Sequence, residues 1–300
     1  MKHISKQRLQ KWLHRLGSVL GIAGVGFVVF KLYSYSDTLR TIDLTTSDYV
    51  ALVCLAALYG AICTFQATAW RELLAMLGVN VTPKWAVATF ATTQIGKYVP
   101  GNIFQYAGRQ AVGAAAGLPN VPLAKSTLFE LMMICAISPL FAVLIVPLFF
   151  PDVPSWIALV GFVFVAALAI AIARLIGGLH LARGAVAYLL FMILNGAVFM
   201  TTLGLIDPKA LSLAGVPVVI GAYVVSWLVG LVTPGAPAGL GVRETVLVYL
   251  FTDSIVSSVI LLAVLVGRIV TVSGDLMFYG AGRAMASRVP HGAQAEQGSA

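Results

Sequence analysis

Apolar residues follow one another along this chain in long stretches, parted by short polar breaks. The longest cover Leu16 to Phe30, Tyr49 to Ala69, Ser126 to Phe149, Trp156 to Ala173, Gly184 to Leu205 and Ile255 to Ala281. Each is near the roughly 20 helical residues that cross a ~30 Å hydrocarbon core, so the pattern predicts six full transmembrane helices. Two further apolar regions, Trp85 to Gly117 and Ser212 to Thr252, are broken near their middles at Pro100-Gly101 and Pro234-Gly235. Proline lacks the amide donor that a helix interior needs, so a helix stops there. Trp85 to Val99 would make only about 22 Å of helix, short of the core thickness. Both regions are read as re-entrant helical hairpins, although the second also fits a pair of tilted full spans. The predicted fold class is an all-α polytopic membrane protein with about six spans and two broken-helix hairpins.

Composition agrees with lipid as the main solvent. Of 300 residues, 60% are hydrophobic and 10% charged, with a mean hydropathy of +0.96. A soluble domain carries about 25% charged residues because water must wet its surface. The net charge of +8 is not gathered into a basic stripe with stacking aromatics, so nucleic acid is not an expected partner. Cys54, Cys63 and Cys135 lie in apolar runs without CxxC spacing and read as small hydrophobes. His3, His14, His180 and His291 fall in polar ends or a connecting loop, so no intramembrane His-ligated metal is expected. The chain has no GxxxxGK[ST], no HExxH and no aspartate cluster suited to Mg²⁺. Neither ATP hydrolysis nor intramembrane lipid-modifying catalysis is expected, and no cofactor is implied.

Lys2, Lys6, Arg8, Lys11 and Arg15 precede the first apolar run, which lacks a clear A-x-A site and reads as an anchor rather than a cleaved signal. Leu9, Trp12, Leu13 and Leu16 recur at helical spacing, so residues 1–16 form either a basic amphipathic segment on the lipid surface or an ordinary positive flank. With the N-terminus inside, Arg71, Lys84, Lys125, Arg174, Arg183, Arg283 and Arg288 join those five on the cytoplasmic side. Lys31, Arg40 and Lys209 alone fall outside. This bias predicts cytoplasmic termini, a single transmembrane domain over residues 17–283 and a disordered tail over 284–300.

Aligned at their breaks, GKYVPGNIFQYAGR from Gly96 and GLVTPGAPAGLGVR from Gly230 share G-x3-P-G-x7-R at an offset of 134 residues. The spans preceding the two motifs cross in opposite directions, which predicts an inverted repeat with halves at about 49–149 and 183–283. Such repeats place broken helices at the bilayer midplane, where irregular backbone is tolerated only if it lines a cavity.

Seven charges fall within apolar regions: Lys97, Arg109, Glu130, Arg243, Glu244, Arg268 and Asp275. Each costs roughly 2.5–3.5 kcal/mol if central and unpaired, so they are expected to face one another or water. Four cations against three acids leave one positive charge. Arg109 and Arg243 lie about two turns into their second half-helices, near amides freed at Gly101-Asn102 and Gly239 to Gly241. Helix N-termini favour anions, so a phosphate site is predicted there. Pairing of Arg243 or Arg268 with Glu244, Asp275 or Glu130 is the competing reading. Glu130 and Asp275 are equally well read as ion-pair partners or proton carriers. Lys97 either snorkels or guards the entrance, and Gln94, Asn102, Gln105 and Asn195 offer neutral hydrogen bonds or helix-helix contacts.

KYVPGNIFQYAGRQ and PAGLGVRE resemble the two signature stretches of the lysylphosphatidylglycerol synthase transmembrane-region family, the flippase part of that bacterial synthase/flippase. The similarity extends from the first anchor to about Arg283 in span number and motif position. Ala238 stands where the usual P-G-G-L-G-x-R-E has its first glycine. The resemblance implies roles for Pro100, Gly101, Arg109, Pro237, Gly239, Gly241, Arg243 and Glu244, with Pro234 and Gly235 at the second break. It implies a stand-alone member without the aminoacyl-transfer domain, in a bacterial cytoplasmic membrane, moving a phospholipid or polyprenyl-phosphate-linked lipid between leaflets. A homodimer and a partner such as a membrane glycosyltransferase or lipid-modifying enzyme are further expectations. A scaffold or accessory subunit whose charges are purely structural is the alternative.

Overall fold

The computed structural model describes residues 45–99, 103–233, 239 and 241–286, and every regular element among them is helical. The expected first anchor, the basic segment 1–16 and residues 287–300 lie outside the described residues. Helix α1, Thr46–Met76, begins where the Thr45 amide donates to Asp48 Oδ2 at 2.9 Å. Helix α2, Pro83–Gln94, has proline at a position that needs no amide, and the Thr82 hydroxyl accepts from Trp85 N–H at 3.3 Å. It tightens into a 3₁₀ turn over Ile95–Tyr98 just before the first break. Helix α3 is Phe104–Ala115 and α4 is Asn120–Ile137. Pro139 and Pro147 withhold amides beyond α4, and the winding passes through a 3₁₀ stretch, Ser138–Ile145, to a last turn, Val146–Phe149.

The second half opens with α5, Ser155–Ile206, followed by α6, Pro208–Ala214, α7, Val216–Val232, α8, Val242–Leu250, and α9, Ser257–Ala286. Four helical lengths have the extent and apolar character to cross a membrane: Thr46–Met76, Asn120–Phe149, Ser155–Ile206 and Ser257–Ala286. Helix α5 is interrupted at Gly178, whose φ of 68° and ψ of −160° are open to glycine and strained for any other residue. The loop expected between two separate spans is therefore absent: helix resumes directly after Gly178 and carries His180 and Arg183 within it. At the other end, α9 continues through Ala286, so residues 284–286 are helical rather than part of a disordered tail.

Packing exchanges under the 134-residue offset. Helix α1 packs on α9 as α5 packs on α4 and its 3₁₀ extension. Helix α2 meets α9 as α7 meets that extension, and the pairs α2–α3 and α3–α4 recur as α7–α8 and α8–α9. Glycine contacts at the breaks match as well. A Cβ on Gly96 would lie 2.7 Å from the Gln105 amide nitrogen, and one on Gly230 would lie 3.0 Å from Gly239 Cα. Gln105 and Gly239 are themselves 134 apart. Nine residues of straight helix would separate each pair by about 13.5 Å, so the chain folds back on itself at both breaks.

The first length of α5 turns Val160, Val163, Phe164, Leu175 and Ile176 outward, at 59–85% exposure. A contiguous apolar face of this kind suits lipid rather than water. Inside, α1 and α9 approach through small residues: a Cβ on Gly274 would run into the Ala56 carbonyl oxygen. Gly274→Leu is expected to overpack this contact and destabilise by about 1–3 kcal/mol or more. Gly178→Ala meets open space and is expected to cost about 1–2 kcal/mol through backbone strain alone. Equilibrium unfolding in detergent measures both.

Candidate functional site

One pocket, with a cavity volume of about 110 Å³, draws its walls from both halves of the chain. Tyr59 and Gln66 come from α1, Gln94, Lys97 and Tyr98 from α2 and its turn, and Gln105, Tyr106 and Arg109 from α3. Across from them stand Phe191 and Asn195 of α5, Tyr223 and Trp227 of α7, Arg243 of α8, and Arg268 of α9. Arg109 and Arg243, the repeat-related arginines, thus share a single hollow. Pro100, Gly101, Asn102, Pro234, Gly235 and Pro237 lie outside the described residues; Gly239, buried with φ 70°, and Gly241, exposed with φ 81°, are described.

Arg109 is 2% exposed and committed. Its Nη1 lies 2.7 Å from Glu130 Oε2 and its Nη2 donates to Glu130 Oε1 at 3.1 Å. Tyr188 donates to the same Oε1 at 2.7 Å. The guanidinium lies over the Phe90 ring at 4.4 Å, with Tyr106 at 5.0 Å and Trp70 at 5.5 Å. Trp70 is in turn held by stacking on Trp85 at 5.9 Å and by its indole N–H donating to Ser126 at 3.1 Å. Sequence alone favoured a ligand role for Arg109 over pairing; the geometry gives it a carboxylate and three aromatic rings.

The other charges pair in the same manner. Lys97 Nζ is 2.7 Å from Asp275 Oδ2, which also accepts from the Tyr98 hydroxyl, and Asp275 is 1% exposed. Arg268 Nε donates to Glu244 Oε1 at 2.8 Å, and its Nη2 donates to the Gly239 carbonyl at 3.2 Å. Asp275 is buried behind Lys97 and does not line the pocket beside Arg268.

Arg243 is different. Among the described residues it makes no ion pair and no hydrogen bond, its Nε is buried without a partner, and its guanidinium faces the Tyr223 ring at 5.6 Å. The repeat explains why. At the 134-residue offset Arg109 corresponds to Arg243, but Glu130 corresponds to Val264. The second copy keeps the arginine and replaces its carboxylate with a methyl-bearing side chain that is 2% exposed. The surplus positive charge counted in the sequence is therefore located on one residue, seated at the first turn of α8 directly after the second break.

Several site residues escaped the sequence reading. Gln66, 6% exposed, accepts from Gln94 at 3.4 Å; a lone amide inside an apolar run was the available signal. Tyr223, Tyr98 and Trp227 resemble any other apolar aromatic in sequence. Glu72, at the far end of α1, was not counted among the embedded charges, yet it is 6% exposed and holds Arg71 at 3.3 Å and His180 Nδ1 at 2.8 Å.

The two arginines should respond oppositely to loss of charge. Glu130→Gln leaves the Arg109 guanidinium buried without a counter-charge and is expected to destabilise by about 3–5 kcal/mol. Arg243→Gln removes a desolvated charge that has no partner and is expected to leave stability unchanged or raise it. Denaturant unfolding of the two variants in one detergent makes the comparison.

Compared with known families, curated proteins and solved structures, the chain matches none.

Proposed function

We propose that the chain is a membrane lipid transporter of the flippase kind, which carries an anionic phospholipid or polyprenyl-phosphate-linked lipid between leaflets with its phosphate on Arg243. The observation that carries this reading is the Arg243 guanidinium, which has neither ion pair nor hydrogen bond among the described residues, in a pocket built by both halves of the chain. Moving a phosphate through bare hydrocarbon costs tens of kcal/mol by Born estimates. A fixed guanidinium at a helix N-terminus replaces part of the lost hydration. The acyl or prenyl tails can meanwhile stay in the bilayer, since only the headgroup needs the pocket.

In this reading the first anchor and the two lengths of α5 complete six spans, and the folded-back breaks are re-entrant hairpins of an inverted repeat. The membrane is a bacterial cytoplasmic membrane, as for the lysylphosphatidylglycerol synthase transmembrane region that the two motifs resemble. Transport needs no catalytic residue. Arg109 with Glu130, Lys97 with Asp275 and Arg268 with Glu244 act as fixed struts that hold the walls around Arg243. Three closed ion pairs also favour a second reading, a scaffold for a membrane glycosyltransferase or lipid-modifying enzyme, in which nothing passes through the pocket.

Fluorescent-lipid transfer in proteoliposomes separates the two. Arg243→Ala is expected to slow headgroup transfer by about 10- to 100-fold, the worth of a charge-assisted hydrogen bond of ~1.5–3 kcal/mol. Arg71→Ala, at the opposite end of α1, should leave the rate as it was. An unchanged rate in Arg243→Ala sinks the phosphate site, and an inert parent protein with every lipid offered favours the scaffold.

A further inference from the structure

Four buried polar atoms of the pocket wall lack a hydrogen bond; Arg109 Nη1 and Glu130 Oε2 meet each other at 2.7 Å as an ion pair, and the other two, of opposite kind, narrow the cargo. One is the donor Arg243 Nε. The other is an acceptor, Gln105 Oε1, which belongs to a residue 7% exposed on the pocket wall and has no hydrogen-bond partner. Leaving a buried acceptor unsatisfied is costly, so such an atom in a binding pocket points to a donor on the ligand. A phosphodiester satisfies Arg243 but has no proton to give Gln105. The headgroup must bring one.

That donor is either a hydroxyl or an ammonium, and the charges decide between them. Lys97, Arg109, Arg243 and Arg268 bring four positive charges around the pocket against Glu130, Glu244 and Asp275. Each of those carboxylates already holds a cation: Glu130 holds Arg109, Glu244 holds Arg268, and Asp275 holds Lys97. Glu244 Oε2 also lacks a hydrogen-bond partner, but Glu244 is not part of the pocket wall. An ammonium headgroup would therefore add a positive charge among four others, with no carboxylate left to meet it. A single phosphodiester charge balances the excess. The remaining polar wall is neutral, with the amides of Gln66, Gln94 and Asn195 at 4–8% exposure and the hydroxyls of Tyr59, Tyr106, Tyr223 and Thr271, and such groups donate to and accept from hydroxyls alike.

We infer that the cargo is a lipid with one phosphodiester charge and a neutral, hydroxyl-bearing headgroup, of glycerol or sugar type, with phosphate on Arg243 and a hydroxyl on Gln105. This rests on the transport reading above and specifies its substrate. It sets the chain apart from the lysyl headgroup for which the resembling family is named. The same headgroup chemistry exists without a tail in soluble glycerophosphoglycerol, so the source must be tested as well as the class.

Proteoliposomes containing the full chain are offered tail-labelled phosphatidylglycerol, a polyprenyl-phosphate hexose, phosphatidylethanolamine and lysylphosphatidylglycerol, and separately radiolabelled glycerophosphoglycerol. The two hydroxyl-bearing monoanions are expected to move about tenfold or more faster than the two ammonium lipids, as loss of a needed hydrogen-bond donor or addition of an unmatched charge would dictate. Gln105→Leu should shrink that preference to about twofold or less, and Gln105→Glu, which offers a new carboxylate of the same shape, should shift it toward the lysyl lipid. The inference is overturned if either ammonium lipid moves as fast as phosphatidylglycerol in the parent, or if both Gln105 variants keep the parental preference. Entry of glycerophosphoglycerol with no lipid movement overturns the lipid reading and retains the headgroup chemistry. If nothing moves, both fall.

Discussion

A charge withdrawn from water without a counter-charge costs several kcal/mol, and that penalty organises the interior of this chain. Three of its embedded acids, Glu130, Glu244 and Asp275, are each spent on a cation from another element, so each of these pairs also ties two elements together. Lys97, in the turn before the first break, is tied to Asp275 of α9. Arg109 ties α3 to α4 and Glu244 ties α8 to α9. These last two pairs join corresponding elements of the two repeats with the polarity reversed. In the first copy the short helix gives the arginine and the long one the glutamate; in the second the roles are exchanged. The exchange takes one residue along the short helix, from Arg243 to Glu244, and one turn along the long helix, from Val264 to Arg268. Arg243 is what the exchange leaves over.

Backbone sterics place that leftover charge where it can be used. A helix that stops within a bilayer frees amides and carbonyls that lipid cannot satisfy, so the broken ends have to face protein or a cavity. At both breaks a glycine lets the returning arm approach closely, Gly96 against Gln105 and Gly230 against Gly239. A side chain at either glycine would push the arms apart and move α3 or α8 relative to the wall that carries Lys97 or Tyr223. The fold-back brings Lys97 and Arg109, on either side of the first break, and Arg243, just after the second, to the wall of one pocket.

Much of this was legible from residue patterns. The apolar runs of α1, α4 and α9 exceed the length of a bilayer crossing, and the repeated G-x3-P-G-x7-R locates both breaks. The surplus of one positive charge could be counted. Its location could not, because pairing depends on which helices lie side by side, and Arg109 and Arg243 look identical in the motif. Applying the 134-residue offset to Glu130 as well as to the motif would have shown Val264 opposite Arg243 and separated the two arginines. Gly178 was hidden for another reason: Gly177-Gly178 reads as a loop, whereas a single glycine at positive φ redirects the chain while helix continues on both sides. The Glu72–His180 contact joins residues 108 apart across that hinge, and no local pattern announces it.

On the proposed reading, the same asymmetry bears on how cargo and closure are linked. An empty pocket keeps one unbalanced guanidinium, and sealing it away from water forfeits that group's hydration with nothing in return. With a monoanionic headgroup on Arg243 the pocket is neutral, and its orphaned donor and acceptor are both matched, so the closed intermediate between the two open states is reached at lower cost. Fully paired arginines in both repeats would remove this difference between loaded and empty pockets. Two free arginines would double the penalty for the empty one and bind a monoanion too tightly to release it readily. One guanidinium held by a carboxylate and one without lies between these limits.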